Sequence, residues 1–130
     1  MSSEKSEAVG PDYDRVLRAN AEQIFGERDA AARRRALDQF WVPDGTLYED
    51  GRIVAGLDAI SETVGALLDS LPPGTQFSPL GPAVGHHGLA LLRWRALDGN
   101  GQPAPVSGTD VAVFQDGKIK QLYVLIDPAQ

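Results

Sequence analysis

The sequence predicts an α+β domain in which helices cover one face of a curved antiparallel sheet, and three observations carry that prediction. Apolar residues recur at helical spacing in three stretches, all within the first 71 residues. From Gln76 onward the pattern is that of strands only, either alternating or apolar on both faces. Asp116-Gly117 joins the last two of those strands with the dipeptide that a two-residue hairpin turn prefers.

Taken in order, residues 1–10 mix Ser, Glu and Lys with little to bury, which predicts a disordered tail ahead of a single domain over 11–130. Tyr13, Val16, Leu17, Asn20, Ile24 and Phe25 mark a first helix that stops at Gly26. Asp29 is placed to cap a second helix, which carries Ala36, Leu37, Phe40 and Trp41 and is expected to end before Pro43. Thr46 to Tyr48 and Arg52 to Ala55 read as a short hairpin about the Asp50-Gly51 turn. The cleanest helical stripe follows, Leu57, Ile60, Val64, Leu67, Leu68 and Leu71, and Pro72-Pro73 ends it. Next come a strand over Gln76 to Val84 with bulge-prone Pro79, Gly81 and Pro82, and a strand over Leu89 to Leu97. The turn Asp98 to Gly101 leads into the long hairpin of Ser107 to Asp127.

At 130 residues the chain can bury its own core without a staple, and it has no cysteine, which excludes disulfides and thiolate metal sites. Its two histidines, His86 and His87, are adjacent, so no metal site and no cofactor are predicted. The net charge of -6 argues against nucleic acid or an anionic membrane as partner. The one basic run, Arg33 to Arg35, reads as the solvated face of a helix. Neither a signal peptide nor a spanning apolar run is present, which predicts a cytoplasmic protein.

One charge is out of place. The strand around Asp110 is apolar on both faces except at this carboxylate. If Asp110 faces inward, alternation puts Gly108, Ala112 and Phe114 beside it, Leu92 and Trp94 on the preceding strand, and Leu122 and Val124 on the following one. With Trp41 these residues form the predicted lining of an apolar pocket for a small molecule. Asp110 is the first candidate for acid/base chemistry, against the alternative of a buried acid that only bonds a backbone N–H or an arginine. Glu49 is the second, against the alternative of a solvent-facing turn residue. Burial and mutual repulsion would raise their pKa values, so that a protonated donor and an ionised base coexist near neutral pH. His86 and His87 fall at a strand-to-strand turn, where either could reach the pocket as an accessory base or simply be exposed. Val111, Val113, Tyr123 and Leu125 fall on the opposite face and need cover, which predicts a homodimer.

Three motifs carry a family resemblance: FWVPDGTLYEDG at Phe40 to Gly51, GLDAI at Gly56 to Ile60, and GTDVAVFQDGKI at Gly108 to Ile119. In this order they resemble SnoaL-like proteins of the nuclear transport factor 2-like superfamily, the branch that includes polyketide cyclases, ketosteroid isomerases and limonene epoxide hydrolases. The resemblance implies a cone, with three N-terminal helices packed on the concave face of a strongly curved mixed or antiparallel sheet. It also aligns Glu49 and Asp110 with the two acids of ketosteroid isomerases. The tyrosine of those enzymes would fall near Ala21 to Phe25, and the nearest tyrosine is Tyr13. Positions matching the water-activating Arg and Asp residues of the epoxide hydrolases hold Ala90, Leu92 and Val124. The function so implied is carboxylate acid/base chemistry on a lipophilic carbonyl compound, by cyclisation, isomerisation or dehydration. The alternative is a non-catalytic binding protein for a small apolar ligand, or a dimeric interaction module.

Overall fold

A computed structural model of the protein describes residues 11–128. The expected tail, residues 1–10, lies outside the described residues. Helix α1, Tyr13–Ala19, starts at Asp12, whose carboxylate accepts from the Arg15 N–H. It widens into a π-helical turn, Asn20–Ile24, in which the Phe25 N–H reaches back to the Asn20 carbonyl. Helix α2, Ala30–Phe40, is capped by Asp29 as expected. Strands β1 (Trp41–Glu49) and β2 (Arg52–Ala55) form the small hairpin. Helix α3, Leu57–Ser70, follows. Strands β3 (Gln76–Pro79), β4 (Val84–His86), β5 (Leu89–Leu97), β6 (Pro103–Gln115) and β7 (Lys118–Ile126) follow among the described residues. No helix among the described residues is long and apolar enough to cross a membrane.

The seven strands form one mixed sheet in the order β2-β1-β7-β6-β5-β3, with β4 also paired to β5. All neighbours are antiparallel except β1 and β7, which run parallel and bring the N-terminal hairpin against the last strand. The three helices pack on the concave side of this bent, open sheet, and the α+β cone is the observed architecture. Leu17, Ile24, Leu37, Ile60 and Val64 from the helices meet Leu47, Leu92, Ala112, Ile119 and Leu122 from the sheet. Each of these five sheet residues lies on the inward side of its strand, as period-two alternation requires.

Three expectations are corrected. Trp41 does not extend α2: its backbone is already extended and its Cα partner is Ile119 on β7. Pro43 therefore ends no helix but sits in an irregularity of β1, between the pairs Trp41↔Ile119 and Thr46↔Gln121, where its missing N–H removes no ladder bond. The strand expected over Gln76 to Val84 is two strands, because Gly81 takes a φ of 74° and the Ala83 N–H is drawn to Asp14 on α1. In the basic run, Arg33 is buried rather than solvated. Its Nε donates to Ser61 Oγ at 3.0 Å and its Nη1 to the Glu27 carbonyl at 2.7 Å, so it bridges α2 to α3. Gly65 leaves the room, since a Cβ there would stand 2.8 Å from Arg33 Nη2.

The outer face of the sheet carries one apolar row. Register aligns Ile53, Tyr48, Tyr123, Val111, Leu91 and Val84 across six strands, β2 to β4. Tyr48 and Tyr123 stack with ring centroids 4.4 Å apart.

Candidate functional site

Asp110 stands mid-strand in β6, between Leu92 of β5 and Val124 of β7, and is 5% exposed. Trp94, two residues along β5 on the same face, donates its indole Nε1–H to Asp110 Oδ1 at 3.0 Å. The residue paired with Trp94 is Gly108, and the pairing explains the glycine. A Cβ at position 108 would stand 2.7 Å from Trp94 Cζ2 and 2.5 Å from the Leu125 carbonyl oxygen. The bare backbone lets the indole ring lie down and aim its N–H at the acid. Asp110 Oδ1 has that one donor, and Oδ2 has no hydrogen-bond partner among the described residues.

The electrostatic consequence follows from burial. Removing the carboxylate from water disfavours its charge and pushes the Asp110 pKa up from 3.8 to about 7, with the Trp94 N–H pulling in the opposite direction. One indole donor does not replace a hydration shell. The group thus titrates far closer to neutral pH than an ordinary carboxyl, the range in which an acid both gives and takes protons well.

Asp110 and Trp94 line a cavity of about 680 Å³. Its walls include Phe25 after the π-helical turn, Leu67 and Leu71 at the end of α3, Phe77 of β3, Ala96 of β5, and Val124 and Ile126 of β7. Glu49, Asp50 and Arg52 from the β1–β2 turn, Asp98, and the segment Ala104 to Val106 complete the lining. Glu49 and Arg52 are joined by a bond of 2.6 Å from Arg52 Nε to the Glu49 carboxylate.

The predicted site residues divide between this cavity and the solid core. Asp110, Glu49, Trp94 and Val124 line the cavity. Leu92, Ala112 and Leu122 do not, being packed in the core under the helices. Trp41 is fully buried there as well, with its Nε1–H on Asn20 Oδ1 at 2.9 Å. Gly108 lies against the Trp94 ring, and Phe114 meets Tyr13 edge to face at 4.9 Å. The correction has a simple cause: α1 and α2 fill the end of the sheet near Ala112 and Leu122, and the cavity occupies only the other end. His86 and His87 lie away from the cavity, both exposed, with Nδ1 atoms 2.8 Å apart and His87 at a φ of 53°. Tyr13 also sits away from it, its hydroxyl accepting from the Gly88 N–H. Among the described residues there is no cluster of three or more His, Cys, Asp or Glu that could hold a metal ion.

Sequence reasoning missed Phe25, Phe77, Leu67, Leu71 and Arg52 as cavity residues. The first and the two leucines were visible as helix-stripe positions, but nothing in a stripe tells which of its members lacks a partner. Of the positions compared with the epoxide hydrolases, Ala90 and Leu92 are core and Val124 is cavity wall.

Residues 19–122 match the family model of a SnoaL-like domain. No curated protein matches the chain. Among solved structures, a SnoaL-like family protein of Agrobacterium tumefaciens, provisionally named an isomerase, superposes with a TM-score of 0.79 at 22% identity, over 88% of this chain and 96% of that one. A protein of Jannaschia, provisionally named a SnoaL-like polyketide cyclase, gives a TM-score of 0.71 at 14% identity over 97% and 92%. A protein of unknown function from Mesorhizobium loti with a nuclear transport factor 2-like fold gives 0.66 at 21% identity over 98% of both chains. At these identities the likeness shows the fold alone.

Proposed function

The chain belongs to the SnoaL-like domain family, and we propose that it is a small-molecule enzyme in which Asp110 performs acid/base chemistry on a lipophilic carbonyl compound. The observation that carries this reading is a carboxyl group with a pKa of about 7 at the wall of a 680 Å³ cavity, within the usual size range of ligand sites. Trp94 holds Oδ1 and leaves Oδ2 for the ligand. In its ionised form Oδ2 takes a proton from the carbon next to the carbonyl group, and the electron pair moves onto the carbonyl oxygen as an enolate. The acid so formed returns the proton to another position of the same molecule, which gives isomerisation, or it protonates a leaving hydroxyl, which gives dehydration. Attack of the enolate carbon on a second carbonyl group, whose oxygen takes the proton back from Asp110, gives cyclisation. The walls of Phe25, Phe77, Leu67 and Trp94 favour an apolar body for the substrate. Glu49 also lines the cavity, and we assign it to ligand orientation, because Arg52 holds it at 2.6 Å.

Asp110→Asn tests this. Native mass spectrometry of the protein purified from its host identifies a co-purifying compound, and that compound or its carbonyl analogues then serve in a turnover assay. The variant is expected to lose turnover by about 10²- to 10⁴-fold while retaining ligand affinity. Turnover at the parental rate in Asp110→Asn would overturn the assignment. One observation favours the second reading, a non-catalytic binding protein: among the described residues only Trp94 donates to Asp110, and no tyrosine lines the cavity to stabilise an enolate. No turnover by the parent, with unchanged affinity in the variant, identifies that case.

We further propose a homodimer formed through the outer apolar row. In a protein of net charge -6, Ile53, Tyr48, Tyr123, Val111, Leu91 and Val84 form a continuous line without a formal charge, suited to a second copy of itself across a twofold axis. Leu91→Glu is expected to give a monomer by light scattering, and a parent that is itself monomeric would refute the proposal.

A further inference from the structure

The charges around the cavity are unequal. Five titratable side chains line it, and four of them are acids: Glu49, Asp50, Asp98 and Asp110. The fifth, Arg52, is already bonded to Glu49 at 2.6 Å. Among the described residues that line the cavity, an incoming carboxylate or phosphate would meet no unpaired cation, only Asp50, Asp98 and Asp110 beside the Glu49–Arg52 pair. Asp98 is tied into its turn, accepting from the Asn100 and Gln102 N–H groups at 2.8 and 2.9 Å. Asp110 lines the cavity, and its Oδ2, without a hydrogen-bond partner among the described residues, is left to whatever enters.

The walls add a second, independent feature. Phe25, Phe77 and Trp94 all face the cavity, and Phe77 meets the Trp94 ring edge-on with centroids 5.4 Å apart. Aromatic faces attract cations through the ring quadrupole, and the attraction strengthens as water is excluded. A buried carboxylate beside aromatic rings suits an ammonium group, for which hydrogen bond and ion pair coincide.

We propose that the cavity selects by charge, taking lipophilic amines in preference to neutral analogues and rejecting carboxylates and phosphates, with the ammonium nitrogen bonded to Asp110 Oδ2. The inference rests on the reading of the cavity as a ligand site and adds a ligand class to it. The ammonium group occupies the place where a substrate proton would be transferred, so lipophilic amines compete with turnover. Where Asp110 is protonated before binding, the carboxyl proton leaves to the buffer as the ion pair forms, and the charge balances.

Three compounds with one apolar body test the proposal by isothermal titration calorimetry: 1-adamantanemethylamine, 1-adamantanemethanol and 1-adamantanecarboxylate. The amine is expected to bind about tenfold or more tighter than the alcohol, and the carboxylate weaker than both. Titration at pH 6 in two buffers of different ionisation enthalpy is expected to show proton release with the amine and none with the alcohol. Asp110→Asn, checked for folding by circular dichroism, is expected to erase the preference for the amine and to keep the alcohol. Alcohol bound as tightly as amine, or an amine preference that survives in Asp110→Asn, overturns the charge selection and leaves the cavity reading intact. If none of the three binds, the cavity is no ligand site and both readings fall together.

Discussion

Trp41 packs against Gly45 and gives its ring N–H to Asn20, while Trp94 packs against Gly108 and gives its ring N–H to Asp110. The local construction is the same in both places. A Cβ at Gly45 would stand 2.5 Å from Trp41 Cε3, much as one at Gly108 would stand 2.7 Å from Trp94 Cζ2. Both acceptors are buried. The difference lies in what surrounds them. Trp41 and Asn20 are enclosed by α1, α2 and the sheet, and the acceptor is a neutral amide that cannot titrate. Trp94 and Asp110 face a cavity, and the acceptor is a carboxyl whose pKa burial has moved to about 7. Burial alone therefore does not mark a functional group in this protein. Burial of a titratable atom beside empty space does.

The sharpest way to break the comparison is to remove each indole. Trp41→Ala, in solid core, is expected to lower stability by about 4–5 kcal/mol, and Trp94→Ala, which already has space on one side, by about half as much. Urea unfolding of both variants decides it, and equal losses would mean that the two environments do not differ. A second test uses pH. The folded protein holds the Asp110 proton up to about pH 7, whereas the ordinary carboxyl gives it up near 3.8. The contribution of Asp110 to stability is then fully present below pH 3.8, falls as pH rises, and is lost once pH passes 7. Asp110→Asn has no such dependence. It is expected to be the more stable protein at pH 8, by at most about 4 kcal/mol, with the gain shrinking towards pH 4. Asn20→Asp is expected to import the same dependence into the core. Unfolding curves at pH 4, 6 and 8 give the answer, and a parallel pair of stability profiles for parent and Asp110→Asn would refute the raised pKa. The smallest expected effect is at the glycines. Gly45→Ala and Gly108→Ala are each expected to lower stability by about 1–3 kcal/mol through overpacking, but only the second displaces the donor of Asp110 and so alters ligand binding.

The comparison also shows what could be read from the sequence. Asp110 was legible because a lone charge in a strand apolar on both sides has few explanations, and strand parity then placed Trp94 beside it. Helix α3 and the Asp116-Gly117 turn were legible for equally local reasons, a stripe and a dipeptide. Trp41 was misplaced because Phe40-Trp41 continues a helical pattern and Pro43 resembles a stop. Its extended backbone depends on a parallel partner, Ile119, far along the chain. The cavity lining was legible only in part, since alternation tells which residues face inward but not where the helices leave a gap. Leu92, Ala112 and Leu122 face the same way as Asp110 and Trp94 and yet are covered. Arg33 offered no signal, because its burial depends on Ser61 and Gly65 on another helix.

The parallel pairing of β1 with β7 has a consequence for the order of assembly. Strand β7 lies between β1 and β6, so the hairpin made early in the chain has no place in the sheet until β7 exists. Pairings this distant in sequence form late and slowly. On the ribosome, the three helices are synthesised well before the surface they must cover. Val124 and Ile126, which close one wall of the cavity, emerge after the other residues that line it. The cavity is thus closed only once β7 is in place, and a chain truncated before β7 would lose both that wall and the strand that joins the two halves of the sheet.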